Sequence, residues 1–216
     1  MTNIINSIAN IPVEMSNKQY EYAIKRSRKF ADEMKKKNQS LDYRTEQRAA
    51  SPDKAYKDEL LGKMGEFLAL LGLKNQYRFP GGGYLVDTEI RKNTDKGWNL
   101  DLPFYKEDSN FPGVYVKTCS RRTMEWVGDY SWTINLGNTN RQGGRDPILD
   151  SREPNLLVAL VYMEEPQARE GVVKVVAQWI KLEKYRSPPK KEELKPIKTC
   201  LYYKNLLENK TTIEGC

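Results

Sequence analysis

Histidine is absent from all 216 residues of this chain. That absence excludes Ser-His-Asp and Cys-His nucleophile systems, HExxH metalloproteases, HNH-type nucleases, haem held by histidine and ordinary zinc sites. Hydrolytic chemistry here must run on carboxylates, Lys, Tyr or Cys, with any metal a hard cation held by oxygens. Walker A and GxGxxG loops are also missing, which disfavours the nucleotide-binding folds built on them. Cysteine is scarce: Cys119, Cys200 and Cys216 are odd in number and lack metal-like spacing. They argue against a disulfide framework and fit a reducing compartment. Long apolar runs are lacking too. The longest, Leu156 to Met163, falls far short of the ~20 residues that span a bilayer. No charged start followed by an apolar segment suggests a signal peptide. The expectation is a soluble, cytoplasmic protein with no membrane partner.

Apolar residues make up 38% of the chain, a thin supply that 13 Tyr, 5 Phe and 4 Trp supplement with large buried areas per side chain. A real core is therefore expected. Lys and Arg number 36 against 29 Asp and Glu, a net charge of +7. That excess suits a polyanionic partner without specifying a fold.

The pattern predicts a helix from Ser16 to about Lys37, with Ser16 and Gln19 at capping-box spacing. Tyr20, Ala23, Ile24, Phe30, Ala31 and Met34 form its apolar stripe, diluted by Ser27. The other face carries Lys25, Arg26, Arg28, Lys29, Lys35, Lys36 and Lys37. It reads equally as a solvated face or as a phosphate-contacting one. A second helix starts near Asp53, has a wide leucine stripe and is expected to stop at Gly72. The texture then changes to strands, at Tyr84 to Ile90, Trp98 to Phe104, Gly113 to Thr118, Ser131 to Leu136, Leu156 to Met163 and Val172 to Leu182. The LLVALVY run suggests a strand buried on both faces. Past Pro188 and Pro189 the Lys-rich remainder is read as a tail with a short helix near Leu201 to Glu208. The expected fold class is α/β (α+β), a central mixed β-sheet flanked by helices with a basic N-terminal helix. Its expected parts are a helical segment over 1–52, an α/β core over 53–185 and a tail over 186–216.

Three charged residues sit inside apolar elements: Glu66 in GKMGEFLALLGL, Asp101 in GWNLDLPF and Lys117 in GVYVKTCSRRT. A charge in such a setting needs a partner or a metal to offset its desolvation. Taken singly, each has a plain structural reading. Glu66 could pair with Lys63, Asp101 could form a turn ahead of Pro103, and Lys117 could snorkel from a strand end. Taken together, two carboxylates and a lysine without histidine suit Mg²⁺-dependent phosphodiester hydrolysis. The acids would hold the cation, and the lysine would orient water and offset phosphate charge.

A helix bearing GE, then a strand aspartate, then a strand ending in VKT resembles the PD-(D/E)XK nuclease superfamily, the restriction-endonuclease-like fold. The likeness covers roughly residues 55 to 182, with SWTINL, LLVALVYM and VVKVVAQWIKL following in the expected order. It implies a DNA endonuclease of phage or bacterial type using Mg²⁺ (or Mn²⁺) bound by Asp101 and Glu66, with Lys117 completing the catalytic set. It further implies products with a 5′-phosphate and a 3′-hydroxyl, and a homodimer if both strands are cut. One position departs from the pattern: the acid usually found two residues before the lysine is Tyr115 here. Glu66 is the candidate substitute, with Asp87, Glu89 and Asp95 behind it.

Arg121 and Arg122 follow the lysine strand and are candidates to clamp flanking phosphates. Asn140, Arg141, Gln142 and Arg145, in the glycine-containing GNTNRQGGRDP segment, are residue types that read base edges. Duplex DNA is the expected partner. Two rival readings stand beside the nuclease. One is a nucleic-acid-binding module on the same fold that has lost catalysis, and the other a small protein-interaction or inhibitor protein.

Overall fold

A computed structural model describes residues 10–39, 52–76, 85–86, 88, 101–102, 113–120, 131–137, 157–177 and 197–202. In chain order these form β1 (Asn10–Glu14), α1 (Asn17–Gln39), α2 (Pro52–Gln76), β2 (Val114–Ser120), β3 (Ser131–Gly137), β4 (Leu157–Met163), β5 (Glu170–Ala177) and β6 (Ile197–Tyr202). A four-stranded sheet runs β1-β5-β4-β2, and β3 pairs with β6 in a second, two-stranded sheet. β1 and β4 lie antiparallel to β5, whereas β2 runs parallel to β4, so the main sheet is mixed. The chain is an α+β protein. No helix among the described residues is long and apolar enough to cross a membrane.

α1 begins where its capping box requires. Ser16 N donates to Gln19 Oε1 at 2.9 Å and Gln19 N donates to Ser16 Oγ at 3.4 Å, which satisfies two amides reciprocally. Its buried stripe of Ala23, Ile24, Ser27 and Ala31 rests against α2. α2 is apolar on more than one side because it is covered twice, by α1 and by the sheet. It does not stop at Gly72 as the sequence suggested but runs to Gln76. A Cβ on Gly72 would come within 3.2 Å of Val13 Cγ2 and 3.3 Å of Val173. The glycine is there for the close approach of helix to sheet, not for termination.

β4 is buried along almost its whole length, with Val158, Ala159, Leu160 and Val161 fully inaccessible, as its unbroken apolar run predicts. Side-chain alternation splits the main sheet into two faces. Val114, Val116, Ala159, Val161, Val173, Val175, Ile11 and Val13 make the core beneath α2. The opposite face carries Tyr115, Lys117, Cys119, Val158, Leu160 and Lys174, in register across the strands. Trp132 of β3 is buried and donates its indole N–H to the Val161 carbonyl at 3.0 Å, so this ring packs as core.

Segments near both ends of the sequence contribute strands. The residues before α1 supply β1, an edge strand of the main sheet, so the 1–52 segment shares a sheet with the 53–185 core. Arg169 ties that edge down: its Nη2 donates to Met15 O at 2.9 Å, and Met15 N donates to Arg169 O at 3.0 Å. In the expected tail, Ile197–Tyr202 is a strand paired antiparallel with β3 and displaces the start of the short helix expected near Leu201. Ile197, Thr199 and Leu201 alternate with Lys198, Cys200 and Tyr202, a period-two pattern that favours a strand.

Lys174 was not anticipated as a buried charge. It is 2% exposed in the middle of the Val-rich β5, and burial pushes its ammonium below the ordinary lysine value of 10.5. The signal was present as a single Lys inside VVKVV. Because the unfolded chain keeps the higher pKa, it binds more protons between the folded pKa and 10.5. The destabilisation is thus fully present below the folded pKa and is relieved as pH rises towards 10.5. Lys174→Met removes this titration, so wild type is expected to gain stability relative to the variant between about pH 7 and about pH 10. Urea midpoints of both proteins at the two pH values test this.

Candidate functional site

β2 carries the site candidates at the side of the sheet away from β1. Beyond it, Leu102 forms an antiparallel bridge with Val114 through two backbone bonds, Leu102 N to Val114 O at 3.1 Å and Val114 N to Leu102 O at 3.3 Å. The next β2 amide on that edge, Val116 N, donates to Asp101 Oδ2 at 2.8 Å. The Asp101 carboxylate therefore serves as a ladder acceptor for β2 and is fixed one residue from Lys117. Leu102 and Val114 are both fully buried in the core under α2. By alternation Tyr115 and Lys117 belong to the other face of β2, while Asp101 sits in a bend at the edge of that strand. Lys117 is half-buried, and its ammonium lies 5.8 Å from the centroid of the Tyr115 ring.

Glu66 occupies a different setting. It is 6% exposed and accepts a 2.8 Å bond from Lys63 Nζ one turn earlier on α2, and Lys63 Nζ also lies 4.5 Å from the centre of the Phe30 ring of α1. The neighbouring Gly65 packs on Thr118 of β2, since a Cβ there would fall on the Thr118 side chain. Thr118 points toward α2, so Lys117 points away from it. The structure thus places the Asp101 carboxylate at the edge of β2, bonded to Val116 and one residue along the strand from Lys117. It puts Glu66 on the helix covering the face opposite Lys117, with a lysine counter-charge of its own.

A hard divalent cation at a phosphodiester centre commonly takes only one or two protein carboxylates, the rest of its shell being water and phosphate oxygen. Asp101 supplies one carboxylate of that kind at the edge of β2. Among the described residues no group of three acidic or thiol side chains converges as a ready-made metal cluster. Arg121, Arg122, Asn140, Arg141, Gln142 and Arg145 lie outside the described residues, as do Asp87, Glu89 and Asp95.

Comparison with known proteins returns no matching family model, no matching curated protein and no matching solved structure. The functional reading therefore rests on the residues themselves.

Proposed function

We propose that this chain is a DNA endonuclease of the restriction-endonuclease-like class, with Asp101 and Lys117 at its reacting centre. One observation carries the reading: the Asp101 carboxylate is bonded to the β2 backbone at Val116, the residue next to Lys117. An acid fixed to the strand that carries the lysine is preorganised, so little reorganisation is needed when a phosphate arrives. Lys117 offsets the charge that builds on the phosphate oxygens and orients the attacking water. Asp101 would hold the hard cation, and Mg²⁺ bound there would neutralise phosphate charge and lower the pKa of its water. Glu66, held by Lys63, belongs in this reading to the helix that supports β2.

The test uses supercoiled plasmid and linear duplex with Mg²⁺ or with EDTA. Asp101→Asn keeps an oxygen acceptor for Val116 N–H while removing the charge, and Lys117→Met keeps the apolar stem. Each is expected to reduce Mg²⁺-dependent cutting about 100-fold or more while leaving the melting temperature nearly unchanged. Cutting that survives both substitutions at the wild-type rate would remove these residues from the mechanism.

A second reading, a nucleic-acid-binding module without catalysis, is favoured by Tyr115. That residue stands where the resemblance asks for an acid, and it offers Lys117 an aromatic face instead. It anticipates salt-sensitive binding indifferent to Mg²⁺ and no cleavage by the wild-type protein.

A further inference from the structure

α1 turns one face to α2 and leaves the opposite face bare. On the bare face Lys18, Lys25, Lys29 and Lys36 are all exposed and follow one another at steps of seven, four and seven residues. Those steps are close to whole helical turns, so the four lysines stand in one row, separated by about 10, 6 and 10 Å along the axis. Arg28 flanks the row, and an open groove beside it is lined by Lys25, Arg28, Lys29 and Lys36 with Asp32 and Glu33. Arg26 adds an exposed guanidinium stacked 5.4 Å from the centre of the Tyr22 ring. A solvated helix face usually spends such charges on i,i+4 pairs. Here, among the described residues, Lys29 is the one member of the row drawn to a carboxylate, Glu33, at a long 3.9 Å.

We infer that this lysine row is a second nucleic-acid surface, one that tracks the phosphate backbone of duplex DNA. Its chemistry selects among polyanions. A protein partner would need an apolar or aromatic centre, and lysine is depleted from such interfaces. Insertion into a lipid surface needs an apolar helix face, and the apolar face of α1 is already buried against α2. A line of flexible cations without an apolar anchor matches the continuous charge of a duplex, one phosphate per ~1.7 Å of axis. The row lies apart from the candidate centre. It faces away from α2, and Lys117 projects from the far face of the sheet that α2 covers. The inference therefore stands whether or not the chain cuts DNA, and a cutting chain would hold duplex at two separate places.

The test measures anisotropy of a labelled duplex of about 30 base pairs in EDTA across a salt series. It uses the full chain carrying Lys117→Met, alone and with Lys18, Lys25, Lys29 and Lys36 all changed to Ala. Removing four phosphate contacts is expected to make the plot of log affinity against log salt shallower by about 3 to 4 and to weaken binding about 30-fold or more. The same four positions changed to Glu should weaken it further. Thermal melting of each variant checks that the fold is kept. If the fourfold variant melts early, the single changes Lys25→Ala and Lys29→Ala replace it, each expected to make the slope about 1 shallower. Wild-type affinity and slope in the variants would overturn the inference. So would loss of binding to phosphatidylserine vesicles or to polyglutamate with DNA binding intact. Binding through α1 by a chain that cleaves nothing would support this surface while sinking the catalytic reading.

Discussion

Gly65→Ala is expected to destabilise the protein by about 3 kcal/mol, near the upper end for forcing an atom into a packed interface. A methyl at position 65 would fall on the Thr118 side chain, with Thr118 Cγ2 2.7 Å and Thr118 Cβ 2.8 Å away. The threonine hydroxyl is closer still, and none of these atoms lies at the end of a long flexible chain. Either α2 must lift from the sheet or β2 must yield. Gly62 provides the control on the same helix. Nothing lies within 4 Å of its added Cβ, so Gly62→Ala should stabilise by about 0.5–1 kcal/mol through helix propensity alone. Thr118→Ala removes two of the three clashing atoms. It should therefore recover a large part of the loss in the Gly65→Ala background, giving a strong non-additive coupling in urea melts. Additive single and double variants would mean that the helix and strand do not meet there. Lys117 neighbours Thr118 on β2, so Gly65→Ala should also impair any activity that depends on the position of Lys117.

Breaking the Lys63–Glu66 pair should be equally damaging. Both residues are nearly inaccessible, 9% and 6% exposed, and the bond between them is 2.8 Å. Lys63→Met removes the counter-charge bonded to a nearly inaccessible carboxylate and is expected to destabilise by about 3–5 kcal/mol. Replacing both, Lys63→Met with Glu66→Leu, should recover a large part of that loss, because the double variant holds neither charge of the pair. Equilibrium unfolding of the three proteins measures the difference. The same series reports on the role of Glu66. If the pair is structural, the stable double variant keeps its activity. A double variant that folds normally yet loses Mg²⁺-dependent cutting would return Glu66 to the reacting centre.

Local signals in the sequence were reliable where local chemistry decides the structure. Ser16 and Gln19 marked the start of α1 because both halves of a capping box lie within one turn. The β4 run announced a strand buried on both faces because nothing polar interrupts it. Gly72 misled because a helical glycine serves as a stop or as a place of close approach, and only Val13 and Val173, remote in sequence, distinguish the two. β6 was hidden because a short alternating segment needs a partner, β3, that begins some sixty residues earlier. At the candidate site the residue types were legible, but their directions were not. Asp101 could be placed near a strand, yet its bond to Val116 N depends on a register that no local pattern encodes. Glu66 could be recognised as a charge among leucines with Lys63 one turn away as a partner, whereas the side of α2 that meets the sheet could not.

The pairing of β1 with β5 also governs the order in which the molecule can be completed. Asn10 meets Lys174 and Glu14 meets Glu170, so β1 finds its neighbour only after all the residues between them have been synthesised. Contacts of such sequence separation are entropically slow to form and are characteristic of high-contact-order folds. Until β5 emerges from the ribosome, Ile11, Val13 and Met15 have no sheet to enter, and α2 lacks the strand that seats Gly72. Between the synthesis of β1 and that of β5 the nascent protein therefore carries an apolar strand with an unpaired edge, the stage at which chaperone capture and aggregation compete with folding.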